Sequence, residues 1–243
     1  TKKQHSTATI KASNTLNHKK NTYLCRLILM NMILLNTQYY GSIQYFTKLL
    51  LQPEVYIDQY EHYERASLHN RCYIATTNGI LALSVPLENG RQQRRAIKDV
   101  RIAYHHAWQR QHWHSIVSAY RSSPYFEYFE TDFQGFYEQR FEFLLDFNQA
   151  ILQTLLRLLR LKTTILLTEN YQKHIDKEDT DYRHTCYTKA HYQANDPHYQ
   201  PPTYHQVFSA NQDFAPNMSI IDLLFNTGID SFQYLQNAIL KLD

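Results

Sequence analysis

The sequence predicts an α/β fold: an open, largely parallel sheet built on an N-terminal βαβ unit with an inserted β-hairpin, helices packed on it and a C-terminal helical tail. Three observations predict it. An apolar run at residues 33–37, a loop at 38–42, a helix-period segment at 43–51 and a second apolar run at 54–58 follow one another closely. That order gives two parallel strands joined by a crossover helix. Two β-rich runs, residues 71–76 and 80–85, flank Asn78-Gly79, a strong hairpin signal. Finally, a helical pattern over residues 136–160 is followed by another apolar run at 163–168, which reads as a further buried strand.

Taken in order, Ser42 stands where an N-cap is needed before the first helix, and Pro53 stops that helix. The loop after the first strand, and Asp58 at the end of the second, then share the carboxyl edge of the sheet, where open α/β folds bind ligands. Pro86 ends the hairpin, residues 88–95 form a charged loop, and residues 100–102 are expected as a short strand. From Trp108 the chain reads as a helix ending in the aromatic turn Pro124-Tyr125-Phe126. On a 3.6-residue period Trp113, Ile116, Val117 and Tyr120 form its buried stripe. Arg110, His114, Ser118 and Arg121 face water, and Trp108, His112, Ser115 and Ala119 form a third strip between them.

In the long helix over 136–160, Tyr137, Phe141, Leu144, Ile151, Leu155 and Leu158 share one side. Asn148 interrupts the stripe and reads as a buried, hydrogen-bonded structural residue. Residues 170–204 lose all periodicity and read as a polar insert or lid. Near the end, Ser219-x-x-Asp222 has the spacing of a capping box, Gly228 is placed as a helix-ending glycine, and Asp230 or Ser231 can cap the last helix.

Composition excludes several classes. A chain of 243 residues with 43% hydrophobic content and 20 tyrosines folds into a globular body. Its 5 glycines lie far apart, so no glycine-rich phosphate cradle can be written and the sequence names no cofactor. Residues 1–29 carry six basic side chains and no acidic one, so the formal charge of +3 belongs to the leader and the rest is net acidic. That argues against a nucleic-acid partner, which needs a basic stripe on the folded body. The apolar run at 27–35 is too short to span a bilayer, which takes about 20 residues. Residues 1–31 are expected to be a disordered or non-native leader, with a natural start at Met30 or Met32, and residues 32–243 a single domain. Three widely spaced cysteines, Cys25, Cys72 and Cys186, fit a reducing cytoplasm and no disulfide framework.

Several groups carry possible chemistry. His184-x-Cys186-x4-His191, with His198 and His205 beyond, tempts a zinc assignment, but the spacing fits no standard site; it reads as a polar loop, and no metal site is assigned. Cys72, at the start of a strand, reads as a small buried hydrophobe. Ser84 and Ser115 lack a nucleophile-elbow context. Asp58, Glu61 and His62 cluster just past a strand end and can position an amine or act as general base; a solvated loop is the competing use. Arg71, following Asn70, can hold a carboxylate or phosphate with its fork, or pair internally with Asp58 or Asp99. His112 lines a pocket wall or is satisfied by a backbone carbonyl.

These residues fall in segments that resemble the WbqC-like family of bacterial proteins. They are Tyr45-Phe46 leading to Val55-Tyr56-Ile57-Asp58-x-Tyr60-Glu61-His62-Tyr63; Asn70-Arg71-Cys72-Tyr73-Ile74; Leu83-Ser84-Val85-Pro86; Ile97-Lys98-Asp99-Val100; and Trp108-x3-His112-x2-Ser115-Ile116-x3-Tyr120-x3-Pro124-Tyr125-Phe126. A closing segment, Pro216-Asn217-Met218-Ser219 through Asp222 and Phe225-Asn226 to Gly228, also fits. The resemblance runs from about residue 32 to 240 and is weakest through the insert. It implies a place among genes for O-antigen and other surface polysaccharides, and transfer of an amino acid, glycine being the named candidate, onto a sugar acid. Many members open with His-Gln-Pro-x-Tyr, whereas Leu35-Asn36-Thr37-Gln38-Tyr39 stands here and only the tyrosine is kept.

The combined expectation is a cytoplasmic transferase that forms an amide between an amino acid and a sugar-linked carboxylate, acting on a small-molecule or glycan-linked substrate. Asn70 and Arg71 would hold an anionic group, Asp58 or Glu61 the amine, and His112 would shuttle the proton, its usual pKa suiting that work near pH 7. Trp108 and Tyr125 would stack on the sugar, with Tyr39 and Ser115 completing the substrate-binding set. The alternative is a non-catalytic sugar or nucleotide-sugar binding protein of the same pathway; RNA binding through the tyrosines is the weakest reading, since the body is acidic.

Overall fold

In the computed structural model, residues 32–88, 94–173, 179–185, 196–208 and 213–240 are described. The basic leader to residue 31 with Cys25, and Cys186 and His191 of the histidine-rich loop, lie outside the described residues. Four short parallel strands make the central sheet. β1 (Ile33–Leu35) is buried throughout, which explains its unbroken apolar run. The Ser42 hydroxyl accepts the Tyr45 amide at 3.2 Å and caps α1 (Ile43–Leu49). The chain then passes Pro53 into β2 (Glu54–Ile57), parallel to β1 with Leu34 opposite Tyr56. The expected βαβ unit is therefore present.

The hairpin follows as β3 (Arg71–Thr76) and β4 (Gly79–Ser84), a separate two-stranded antiparallel sheet. Thr76 pairs with Gly79, so the turn residues are Thr77 and Asn78, one position earlier than the Asn-Gly signal suggests. Gly79, at φ +100°, supplies the left-handed residue just after the turn. A 3₁₀ turn (Ile97–Asp99) leads to isolated bridges, Arg101 with Phe143 and Leu87 with Ile102, in place of the expected strand at 100–102.

Three helices come next: α2 (Trp108–Tyr120), α3 (Phe126–Glu138) and α4 (Leu144–Leu158). The helix expected over 136–160 is thus divided between two, because Ile102 donates to Glu142 O (3.0 Å) and Leu144 to Val100 O (2.8 Å), drawing residues 142–144 into strand-like pairing. The face of α2 also differs from expectation. Trp108, His112, Ile116, Ala119 and Tyr120 are buried, whereas Trp113 and Val117 are half-buried. Packing against both β3 and α3 turns the intermediate strip inward, which a single-helix period cannot reveal. Asn148 behaves as expected, buried and donating to Thr37 Oγ1 (3.3 Å) and His69 O (2.8 Å).

β5 (Thr164–Leu167) adds to β2 in parallel. It is an edge strand, with Leu167 40% exposed, and not the buried strand its apolar run suggested. β6 (Thr180–Asp181) pairs with the other side of β1, giving the order β5-β2-β1-β6. Two residues inside a polar insert offered no period from which to foresee it.

α5 (Ile220–Thr227) is buried on every side, and α6 (Ser231–Asn237) follows a 3₁₀ turn. The capping box does not form. The Ser219 hydroxyl donates to Tyr40 O (2.8 Å), and the buried Asp222 carboxylate accepts from Tyr120 OH (2.8 Å), Tyr204 OH (2.6 Å) and Gln206 Nε2 (2.8 Å). Core donors out-compete a helix-end amide for that carboxylate. Ser231 Oγ, for its part, donates to Gly228 O (2.6 Å).

Gly228 closes α5 at φ +58° and ψ −127°, and a Cβ there would lie 2.4 Å from the Tyr125 ring. Gly228→Ala is therefore expected to cost roughly 2–4 kcal/mol in chemical denaturation, from overpacking plus the forbidden backbone angles. Tyr125→Ala in the same chain should recover the overpacking share and leave the backbone share.

Candidate functional site

Because all four strands of the main sheet run parallel, their carboxyl ends meet on one edge. Asn36 follows β1, Asp58 follows β2, Thr168 follows β5 and Asp181 ends β6. The edge is filled by the protein's own charges. Asp58 is fully buried and accepts from Tyr60 N (3.0 Å), Thr168 Oγ1 (3.1 Å) and Arg183 Nη1 (2.5 Å). Arg183 also grips Asp181, through Nε at 3.0 and 3.1 Å and Nη2 at 2.6 Å. Burial by itself would raise the Asp181 pKa, but the hydrogen bonds and charge of Arg183 hold it below the ordinary value.

Beside this clasp, Glu61 Oε1 meets His69 Nε2 at 2.9 Å, both side chains buried. Burial pushes the Glu61 carboxyl above its ordinary pKa and the nearby Asp58 charge adds to the rise, against the pull of His69 and Arg183. The Asn36 Nδ2 and Asn148 Oδ1 atoms are buried with no partner among the described residues.

A second group gathers where α2 faces the β1–α1 loop. His112 Nδ1 lies 3.0 Å from Tyr39 OH, which is 2.8 Å from Tyr137 OH, itself 3.3 Å from Tyr40 OH. The Ser84 backbone is also hydrogen-bonded to the His112 ring. A carbonyl can only accept, so a neutral ring that donates to Ser84 through its other nitrogen accepts the Tyr39 hydroxyl on Nδ1. Desolvation by burial lowers the His112 pKa to about 4, with the Ser84 bond opposing. The ring is neutral at pH 7, in contrast with the ordinary titration expected for a proton shuttle. Trp108 stands edge-on to it, centroids 5.1 Å apart, and its buried Nε1 has no acceptor among the described residues.

Arg71 borders the same loop. Its Nε donates to Ser84 Oγ at 2.8 Å, and no carboxylate pairs with it among the described residues. The two internal partners considered for it are engaged elsewhere, Asp58 with Arg183 and Asp99 with Lys98. With Tyr39, Cys72, Asn217 and Ser219, Arg71 lines a cavity of about 10 Å³, room for roughly one water. The Cys72 thiol is buried and pushed well up in pKa by desolvation, so it is protonated at pH 7 and unsuited to nucleophilic attack.

The expected residues divide accordingly. Tyr39, Trp108 and His112 are joined by contacts, and Arg71 borders Tyr39. Asp58 and Glu61 lie on the sheet edge. Asn70 spends its amide on Val85 O (2.7 Å) and accepts from Tyr63 OH (3.1 Å). Ser115 is half-exposed and donates to Gln111 O at 2.9 Å, while Tyr125 packs on Gly228 and beside Tyr128. Arg183, His69, Thr168 and Tyr137 were not foreseen. Arg183 carried one weak signal, an arginine two residues after an aspartate in an otherwise aperiodic stretch. Among the described residues no three His, Cys, Asp or Glu side chains converge as metal ligands, and no helix is long and apolar enough to cross a membrane.

The sequence model of the WbqC-like protein family matches residues 37–193 and 179–234, which takes in Asp58, Arg71, His112 and Arg183. The chain belongs to the WbqC-like protein family. Membership carries, at a coarse level, a role in a polysaccharide-related pathway. No curated protein and no solved structure matches this WbqC-like chain.

Two outcomes are expected. Arg183→Met leaves Asp58 buried without its cation and should cost about 3–5 kcal/mol in urea denaturation; Asp58→Asn added to it should recover part of the loss. For His112, the folded pKa lies below the unfolded value of about 6.5, so the unfolded chain takes up a proton first as pH falls. Its contribution is complete above pH 6.5 and is lost between pH 6.5 and 4, about 1.4 kcal/mol per pH unit and about 3 kcal/mol in all. Denaturation curves at stepped pH should show that slope flattened in His112→Gln, and an NMR titration should place the ring near pH 4.

Proposed function

We propose that this protein attaches an amino acid, glycine-like, through an amide to the carboxylate of a sugar acid in polysaccharide assembly. The observation that carries the reading is Arg71, a guanidinium held by Ser84 and bordering a small cavity without a carboxylate partner among the described residues. An arginine so placed suits a carboxylate or phosphate on the sugar. The carboxyl group to be joined arrives activated. The amine nitrogen bonds to its carbon, the activating group departs with its electron pair, and the nitrogen sheds a proton. Tyr39, between the cavity and His112, offers the route for that proton: its oxygen accepts as its own hydrogen passes to His112 Nδ1. A ring held neutral at pH 7 is ready to receive it, and the nitrogen becomes strongly acidic as the bond forms. Trp108, whose indole N–H beside His112 has no acceptor among the described residues, suits a sugar hydroxyl. Asp58 and Glu61, already bonded to Arg183 and His69, shape the edge from behind.

One observation favours a binding protein instead: the Cys72 thiol is protonated and the His112 lone pair is already engaged by Tyr39. Both readings share Arg71 and differ at His112. Cells lacking the gene should lose an amino-acid-substituted sugar acid from their surface glycan by mass spectrometry, and the wild-type gene should restore it. Arg71→Ala should bind glucuronate about 10- to 100-fold more weakly by calorimetry, the worth of a charged hydrogen-bonded pair, and fail to restore the glycan. His112→Gln should keep glucuronate binding while failing to restore it; full restoration by that variant favours the binding protein. A surface glycan unchanged by loss of the gene would end the proposal.

A further inference from the structure

A cavity of about 10 Å³ beside Arg71 admits a water and not a sugar acid, so one of its walls has to move. Most of the walls are held by paired backbone. Gly41 O accepts the Ile220 amide (2.9 Å), Met218 O accepts that of Ile43 (3.0 Å), and Tyr73 O accepts that of Ser219 (2.9 Å). Arg71, Cys72 and Tyr73 are laddered to β4. A further wall is Leu68, from the link between β2 and β3, held by one backbone bond from Tyr39 N to its carbonyl (3.0 Å). There Glu64, Arg65 and Ala66 are exposed in succession while Ser67, Leu68 and His69 are buried. Ala66 sits at φ +64°, a left-handed conformation unfavourable for a residue with a Cβ. The link closes on itself at its base, through Glu61 with His69 at 2.9 Å and Tyr63 with Asn70 at 3.1 Å.

We infer that residues 64–68 form a flap whose Leu68 stoppers the Arg71 cavity, and that the Glu61–His69 pair is its latch. Opening breaks the bond from Tyr39 N to Leu68 O (3.0 Å), withdraws Leu68 and joins the cavity to solvent. Ala66 is the hinge, since leaving the left-handed region releases its strain. The geometry of the flap stands by itself; what enters beneath it, a sugar acid held by Arg71, rests on the function proposed above.

Cys72 reports the opening, because it lines the cavity and is 2% exposed. The full-length protein would be treated with iodoacetamide at one fixed pH and the modification of Cys72 followed by peptide mass spectrometry. Wild type should label slowly, at a rate insensitive to urea below the unfolding transition. Glu61→Gln should label roughly tenfold faster at unchanged fold, as expected for weakening one charged hydrogen bond in the closed state. Leu68→Ala, which removes the stopper and leaves the latch, should also label faster. Labelling of Cys72 in both folded variants at the wild-type rate would overturn the flap, as would a wild-type rate that climbs with urea in step with global unfolding. Glucuronate should slow labelling in wild type; if it does not while Glu61→Gln still labels faster, the Arg71 assignment falls and the flap stands.

Discussion

The rest of the carboxyl edge depends on the buried contact between Asp58 and Arg183. Asp58 has no exposed surface, and a carboxylate so enclosed requires a cation and a full set of donors. Arg183 provides the cation from the far side of the sheet, while Thr168 and the Tyr60 amide complete the set. The same guanidinium holds Asp181. A two-residue strand contributes too few ladder bonds to stay in place unaided, so the arginine bolts β6 against β1. With β2 on its other side, β1 becomes an interior strand, which is why the loop leaving it, with Tyr39 and Tyr40, is buried and its polar atoms must find partners inside the protein.

Tyrosine hydroxyls are prominent in the buried polar networks around that loop. Tyr39, Tyr137 and Tyr40 form one run, and Tyr120 and Tyr204 converge on Asp222, whose pKa burial raises against the pull of their hydroxyls and of Gln206. Lys48 meets Asp196 in a third buried contact, which ties α1 to the later part of the insert. Each group forfeits its bonds if it shifts, so such networks favour one arrangement of the loops. The consequence at the candidate site is preorganisation. His112 is held between Tyr39 and the Ser84 backbone, and Arg71 keeps its position through Ser84 with no carboxylate paired to it among the described residues.

Much of the architecture was legible because it rests on local rules. The βαβ opening needed only an apolar run, Ser42 as a cap, Pro53 as a stop and a second run. The hairpin needed Gly79, although the turn formed one residue earlier, since inter-strand pairing and not the dipeptide alone sets register. Local rules failed where another part of the chain competed for the same group. Ser219 and Asp222 have capping-box spacing, yet Tyr40, Tyr120 and Tyr204 claim their side chains. The helical pattern from 136 was interrupted because residues 142–144 pair with residues 100–102. On α2, neighbours on two sides buried a wider face than a free-standing amphipathic helix would show.

The sequence by itself determined the α/β class, the parallel opening unit, the hairpin and the position of Asp58 at the carboxyl edge of the sheet, because periodicity, caps and turn residues act within a few positions. It also pointed to Arg71 and His112, though not to what holds them. Only the tertiary structure decided that Arg183, 125 residues from Asp58, neutralises it, that Arg71 keeps its charge beside a closed cavity, and that the His112 ring is neutral at pH 7. These are properties of burial and of long-range pairing. A charge's partner and a base's pKa depend on which distant atoms displace water around them, and no local pattern of residue types records that.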